Sequence, residues 1–378
     1  MTSLRLSNVR PWGGDPADLH IANGVLTGEP DPGAEVIDGA GRLVLPALVD
    51  AHAHVDKTTY GGPYRRHTAG SSLASLIDNE RTHRESLGPV AARAGDLLDR
   101  YIAHGVLHVR SHVDVDPVIG LASIAGVQEA AASRPVSMQI VAFPQSGLIT
   151  RPGTLALMAD AIDAGAHLVG GIDPAGFDGD PIKHLDAIFG LAADKGVGLD
   201  IHLHDRGTLG AWQIDRIVER TNALQLQGKV TIAHCYALST VDDARQGALI
   251  ESIAAADISL TTTAPGTTPQ LPLARLAQAG VRVGLGHDGV RDLWSPYGTG
   301  DLLEKVLSLA VMSGYRRDDD IDSVLRLATH GGASVIGLPD YGLTAGCAAN
   351  LLLLPVSSTV EAVTERPQRQ VIAHGVLL

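Results

Sequence analysis

Several histidines and aspartates in this chain are spaced so that they could share one ion. In His52-Ala53-His54 the imidazoles are two residues apart. On an extended strand that spacing turns both to the same side, with α-carbons roughly 6.5–7 Å apart, so two nitrogens converge on one cation. Asp200-Ile201-His202-Leu203-His204-Asp205, Thr231-Ile232-Ala233-His234 and Gly284-Leu285-Gly286-His287-Asp288 each end a short apolar run on His or Asp. Neutral imidazoles and a carboxylate suit Zn²⁺ or Fe²⁺ and leave a coordination position open. An ion held this way lowers the pKa of water from about 15.7 towards 7, and a nearby carboxylate or imidazole can carry protons. The chemistry this implies is hydrolysis.

To bring such residues to one place, the chain needs strands that end on a common rim. Eight apolar runs qualify: Val44–His54, Val106–Asp114, Met138–Phe143, Leu168–Ile172, Val197–His204, Val230–His234, Ile258–Thr262 and Val281–Asp288. From the second run onward they recur roughly every 25–35 residues with helix-like segments between, a period that suits a strand and its crossover helix. This predicts an α/β fold, a (β/α)8 TIM barrel over residues 47–342, whose active site lies where the strands end. A doubly wound open sheet is disfavoured, because no Gly-rich phosphate loop follows the first strand. Segments 1–46 and 343–378 read as short strands broken by turns such as Asn23-Gly24, and are expected to pair as one small discontinuous β-sandwich domain. The long first interval predicts helices near Ser72–Leu87 and Val90–His104, with the loop Lys57–Gly70 over the barrel mouth.

Composition narrows the partners. The 378 residues are 45% hydrophobic and 19% charged, enough to bury a large core. A net charge of −13 argues against nucleic acid and for a small molecule. No apolar run approaches the roughly 20 residues of a spanning helix, and the start lacks a secretory pattern, so cytoplasmic residence without membrane attachment is expected. Cys235 and Cys347 read as reduced thiols, neither a disulfide nor a zinc site. A homo-oligomer is expected only because such assemblies are common.

With His-x-His on the first strand, His on the fifth and sixth and Asp on the eighth, the sequence resembles the amidohydrolase superfamily over essentially its whole length. The resemblance implies a single divalent ion, Zn or Fe, held by His52, His54, His202 and Asp288. The fourth strand, Leu168–Ile172, has no lysine to bridge a second ion. His234 would then hydrogen-bond the attacking water or the transition state.

Four stretches are similar to the cytosine deaminase and N-isopropylammelide aminohydrolase subgroup: HVRSHVDVD (108–116), VAFPQSG (141–147), GHDGVRDLWSPYGTGD (286–301) and DYGLTAGCAANLLLLP (340–355). They imply an N-heterocyclic substrate that loses an exocyclic amine. On this resemblance Gln145 reads the ring edge. Trp294 walls the pocket against the ring face or serves packing alone, and Lys57, close behind the first-strand motif, steadies an anionic ring oxygen or is simply solvated. Asp205, where cytosine deaminase has a glutamate, shuttles protons. Its other reading is a cap for the helix that follows. His204 is a partner of a metal ligand, the next candidate shuttle or a simple core histidine. Gly289 replaces an aspartate of cytosine deaminase, which leaves room for a larger amine. Arg110, His112 and Asp114 share one face of the second strand, where a buried ion-pair network explains them equally well. Hydrolysis of a cyclic amide is the second functional reading, and a non-catalytic metal-binding scaffold the third.

Overall fold

Runs of three to nine residues, buried along most of their length, account for the barrel strands of this chain. The computed structural model describes residues 3–264, 266 and 268–378. The N-terminal strands are β1 (Ser3–Pro11), β2 (Ala17–Ala22), β3 (Val25–Thr27), β4 (Glu35–Asp38) and β5 (Leu43–Pro46). Eight parallel strands follow: β6 (Leu48–Ala53), β7 (Val106–Asp114), β8 (Ser137–Phe143), β9 (Leu168–Ile172), β10 (Gly198–His202), β11 (Val230–Ala233), β12 (Ser259–Thr262) and β13 (Val283–Leu285). The chain ends on β14 (Leu351–Leu354), β15 (Gln370–Ala373) and β16 (Val376–Leu377).

The terminal strands form a separate sheet in which β1 serves two neighbourhoods. Its first part pairs with β2 and β4, and its last residues, Arg10 and Pro11, pair with β5. Beyond β5 the order is β14, β15, β16. The two halves close on one apolar cluster that includes Leu4, Leu6, Ile21 and Leu26 together with Val44, Leu351, Leu353 and Ile372. The Asn23-Gly24 turn between β2 and β3 has φ of 55° and 78°, the paired positive values of a tight hairpin.

The sequence suggests one run over Val44–His54, but the chain breaks it in two. Val44 lies in β5 and pairs with Leu353, whereas the barrel strand begins at Leu48. Pro46 has no N–H to continue a ladder, and across the join Ala47 donates to Asn350 and Leu48 to Gly105. One connection therefore ties the barrel to the terminal sheet. The loop insertion carries helices at Leu73–His83, started by the Ser72 side chain, and at Val90–Ala103 after Pro89.

The middle of the barrel is polar. Arg110 on β7 reaches across it to Asp200 on β10 at 2.9 Å, to Thr231 on β11 at 3.0 Å and to the Val335 carbonyl at 3.0 Å. Thr231 in turn meets Ser259 on β12 at 2.9 Å. The ion-pair reading of Arg110 is the one this geometry supports, and it fixes four strands relative to each other directly beneath the metal-type residues. A buried pair like this tolerates no loss of one partner.

Closure between the last and first barrel strands depends on glycine. A β-carbon on Gly286 would lie 2.3 Å from the His52 carbonyl oxygen, and one on Gly284 would lie 2.6 Å from the Ala51 methyl. This close approach lets Asp288 N–H reach the His52 carbonyl at 2.9 Å. Gly286→Ala should therefore cost about 1–3 kcal/mol through overpacking. Urea unfolding would read the loss, and an unchanged midpoint would mean that the seam has slack.

Candidate active site

His52 in β6 and His54 just beyond its end face the barrel mouth, and β10 and the turn after β13 bring His202 and Asp288 to them. His54 Nε2 is 3.2 Å from His202 Nε2 and 3.3 Å from Asp288 Oδ1, and His52 Nε2 is 3.8 Å from the same carboxylate oxygen. The nearest donor atoms of His52, His54 and His202 all lie within 4.8 Å of one another, as do those of His52, His234 and Asp288. His52 Nε2 and His234 Nε2 are buried and make no hydrogen bond.

Burial dominates the protonation of this cluster. It lowers the His52 pKa to about 4 and pushes His202, His234 and His112 well below the ordinary histidine range. Burial works against the Asp288 carboxylate, but the His54 hydrogen bond and the surrounding imidazoles outweigh it and keep the group ionised. The result is several neutral imidazoles with free lone pairs beside one carboxylate, which is a donor set for a divalent cation. His234 and Asp288 also have φ of 64° and 66°. Left-handed backbone at non-glycine residues costs of order 1–3 kcal/mol each and concentrates at working sites.

A second pair stands beside the cluster. The His204 ring donates from Nδ1 to Asp173 Oδ2 at 2.6 Å, its backbone N–H donates to Asp173 Oδ1 at 2.6 Å, and the ring stacks on His234 at 4.2 Å between centroids. Burial disfavours the imidazolium, yet the Asp173 charge and hydrogen bond outweigh it and raise the His204 pKa. Asp205 is engaged elsewhere. Its Oδ2 accepts from the Gly176 N–H at 2.9 Å and from Gln213 Nε2 at 2.8 Å. Nor is it the cap of the next helix, which runs Gly207–Ala223 with Arg206 at the cap position.

The cavity in front of the cluster encloses about 200 Å³ and is lined by His54, Asp288, Gln145, Trp294, Lys57 and Lys305, among others. Glu80, on the helix Leu73–His83, organises one wall. Its Oε2 accepts from Gln145 Nε2 at 2.9 Å and from Trp294 Nε1 at 2.7 Å, and its Oε1 lies 3.8 Å from Lys57 Nζ. Lys57 also pairs with Asp114 at 3.0 Å, and Arg84 shares that carboxylate. Asp292 is buried, which raises its pKa to about 6, and it accepts from the Trp294 and Ser295 N–H groups. A side chain at Gly289 would meet the Asp292 carboxylate.

All the sequence-predicted site residues except Asp205 and His204 line this cavity or belong to the cluster behind it, with His204 bordering the cluster through His234. Glu80, Asp173 and Lys305 were missed. Asp173 directly follows β9, so the strand-end rule applied to the other strands would have found it. Glu80 and Lys305 lie on helices whose pattern gives no such signal.

The sequence of residues 35–142 and 96–378 matches the amidohydrolase family model. The chain belongs to the amidohydrolase family. Its homologues there act as deaminases and as hydrolases of carbon–nitrogen bonds. The fold superimposes on N-isopropylammelide isopropylaminohydrolase from Burkholderia multivorans with a TM-score of 0.96 and 40% identity, covering 100% of this chain and 98% of that one. N-isopropylammelide isopropyl amidohydrolase from Pseudomonas sp. strain ADP is 31% identical over 90% of this chain and 86% of its own. 5-Methylcytosine deaminase from Klebsiella pneumoniae, liganded with 5-fluorocytosine, gives a TM-score of 0.86 at 27% identity over 100% of this chain and 97% of that one. The family uses a metal, and the His/His/His/Asp cluster of this amidohydrolase fits one. Among the described residues no helix is long and apolar enough to cross a membrane.

In metal-free protein the buried histidines make stability depend on pH. The unfolded chain takes up protons near pH 6.5, whereas folded His52 does so only near 4. Stability should therefore fall as the pH is lowered from about 6.5 through about 4. Added Zn²⁺ at 100 times its Kd should raise stability by about 2.7 kcal/mol. Melting temperatures of chelated and reconstituted protein between pH 4 and 8 would read both effects. A flat profile would mean that the imidazoles are not held neutral by burial.

Proposed function

We propose that this amidohydrolase releases an exocyclic amine from a small oxo-substituted N-heterocycle, a pyrimidine or triazine, with one divalent ion, Zn²⁺ or Fe²⁺, held by His52, His54, His202 and Asp288. The observation that carries this reading is the cavity's two faces. One is the donor cluster. The other is Gln145 and Trp294, both anchored on Glu80, which offer a fixed carboxamide and an aromatic edge to one flat ring. The named activities of the relatives support it, since N-isopropylammelide and 5-methylcytosine are both amino-substituted rings.

The Glu80 contact sets the direction of reading. A carboxylate accepts only, so Gln145 must turn its NH₂ toward Glu80, which leaves Oε1 to accept from a ring N–H. When bound, the ion supplies the Lewis acidity that brings a water pKa towards about 7. Water adds to the ring carbon that bears the amine. One of its protons goes to a ring nitrogen, the C–N bond breaks, the other proton leaves with the amine, and a ring carbonyl remains. We assign the proton transfers to His204, whose ring is fixed through Nδ1 by Asp173 so that Nε2 is free, in preference to Asp205, whose carboxylate already bridges Gly176 and Gln213. His234, stacked on His204 with Nε2 unpartnered, holds the attacking oxygen.

The assignment separates two variants. His204→Asn should lower kcat by about 10²–10⁴ while metal content is kept. Asp205→Asn should lower the melting temperature and leave kcat within a few-fold. The opposite pattern would return the shuttle to Asp205. Glu80→Gln, which can turn its own NH₂ on Gln145, should weaken kcat/KM by about 10- to 100-fold, the loss of a charge-assisted hydrogen bond. Steady-state amine release from a panel of amino-pyrimidines and amino-triazines is the assay for all three. No release from any member by metal-loaded parent protein would overturn the functional reading.

A further inference from the structure

The two lysines that line the cavity are not equivalent. Lys57 has its charge offset by two carboxylates, Asp114 at 3.0 Å and Glu80 at 3.8 Å. Lys305 extends into the same cavity from the helix Leu302–Met312, and its Nζ donates to the neutral Thr263 carbonyl at 3.0 Å. Among the described residues it forms no ion pair. An ammonium has three donor hydrogens, and this one spends one of them on a backbone oxygen. The carboxylates of the cavity are occupied: Asp288 belongs to the donor cluster, and Asp292 accepts from the Trp294 and Ser295 N–H groups.

We propose that Lys305 selects substrates whose ring oxygen carries negative charge, using its two free N–H donors on that oxygen. This rests on the functional reading above and narrows it from oxo-heterocycles in general to those acidic enough to ionise near neutral pH, such as di-oxo triazines and pyrimidines. It also reassigns the anion-steadying role expected of Lys57, whose ammonium already has two carboxylate partners. A half-buried cation without a counter-ion is costly, and burial lowers the Lys305 pKa against the raising effect of Asp288 and its neighbours. An anionic oxygen relieves that cost, while a neutral ring leaves it in place.

The test uses the metal-loaded full chain and reads binding separately from turnover. Isothermal titration with cyanuric acid and barbituric acid, which ionise, and with cytosine, which is neutral near pH 7, gives a ratio of affinities for parent, Lys305→Met and Lys305→Arg. Lys305→Met should lower the ratio of anionic to neutral ring affinity by about 10- to 100-fold, and Lys305→Arg should recover most of it. Lys305→Gln serves in place of the Met variant if that one does not fold. An unchanged ratio in a folded neutral variant overturns the inference, even if the parent releases amine from every substrate in the panel. If the parent releases none, the functional reading fails, and the anion titration still judges Lys305 on its own.

Discussion

The rest of the structure depends on one electrostatic constraint: His52, His54, His202 and His234 are packed out of water against each other and beside the Asp288 carboxylate, at one end of a barrel. Facing imidazole nitrogens 3.2 Å apart cannot both direct lone pairs at each other without cost unless a proton or a cation lies between them. Burial keeps a second proton off each of these rings, as the low His52 and His202 pKa values express, so each imidazole has one nitrogen with a lone pair to offer. A divalent cation satisfies nitrogens and carboxylate together. The protein has thus exchanged solvation of several polar groups for the ability to hold one ion.

Everything around the cluster restrains it. Beneath, the Arg110–Asp200 pair and the Thr231–Ser259 contact lock the strands that carry His202 and His234. At the seam, glycines at 284 and 286 let β13 approach β6 closely enough for Asp288 to reach His54. In front, a helix inserted after the first barrel strand delivers Glu80, so that one carboxylate orients Gln145 and Trp294 and lies near Lys57. The loop insertion is thereby part of the site's wall, and its contribution is chemical as well as protective. His204 with Asp173 forms a separate unit beside the cluster, with its proton held by a carboxylate rather than by the ion's ligands.

Much of this was legible in the sequence because the barrel puts period-two strands in register with their own ends. Strand ends and spacing put His52, His54, His202, His234 and Asp288 on one rim, the family resemblance picked them out from neighbours such as His204 and His287, the subgroup motifs added Gln145 and Trp294, and Lys57 came from its place just after the first-strand motif. What could not be read was the partnering. Nothing in a one-dimensional pattern shows that Lys57 is neutralised by two carboxylates, or that Asp205 turns to Gly176 and Gln213 while its neighbour His204 turns to Asp173. Glu80 and Lys305 come from helices, where side-chain direction follows from how the helix docks rather than from spacing. The run Val44–His54 misled for a related reason: hydrophobicity is continuous across Pro46, but the two halves serve different sheets.

The central claim is that water replaces an amine on an intact ring. Turnover in H₂¹⁸O followed by mass spectrometry tests it most directly. The account predicts one ¹⁸O atom in the product's new ring carbonyl, a closed ring, and free amine in equal amount. A ring-opened product that carries the label, or a product that retains its exocyclic nitrogen, would contradict it.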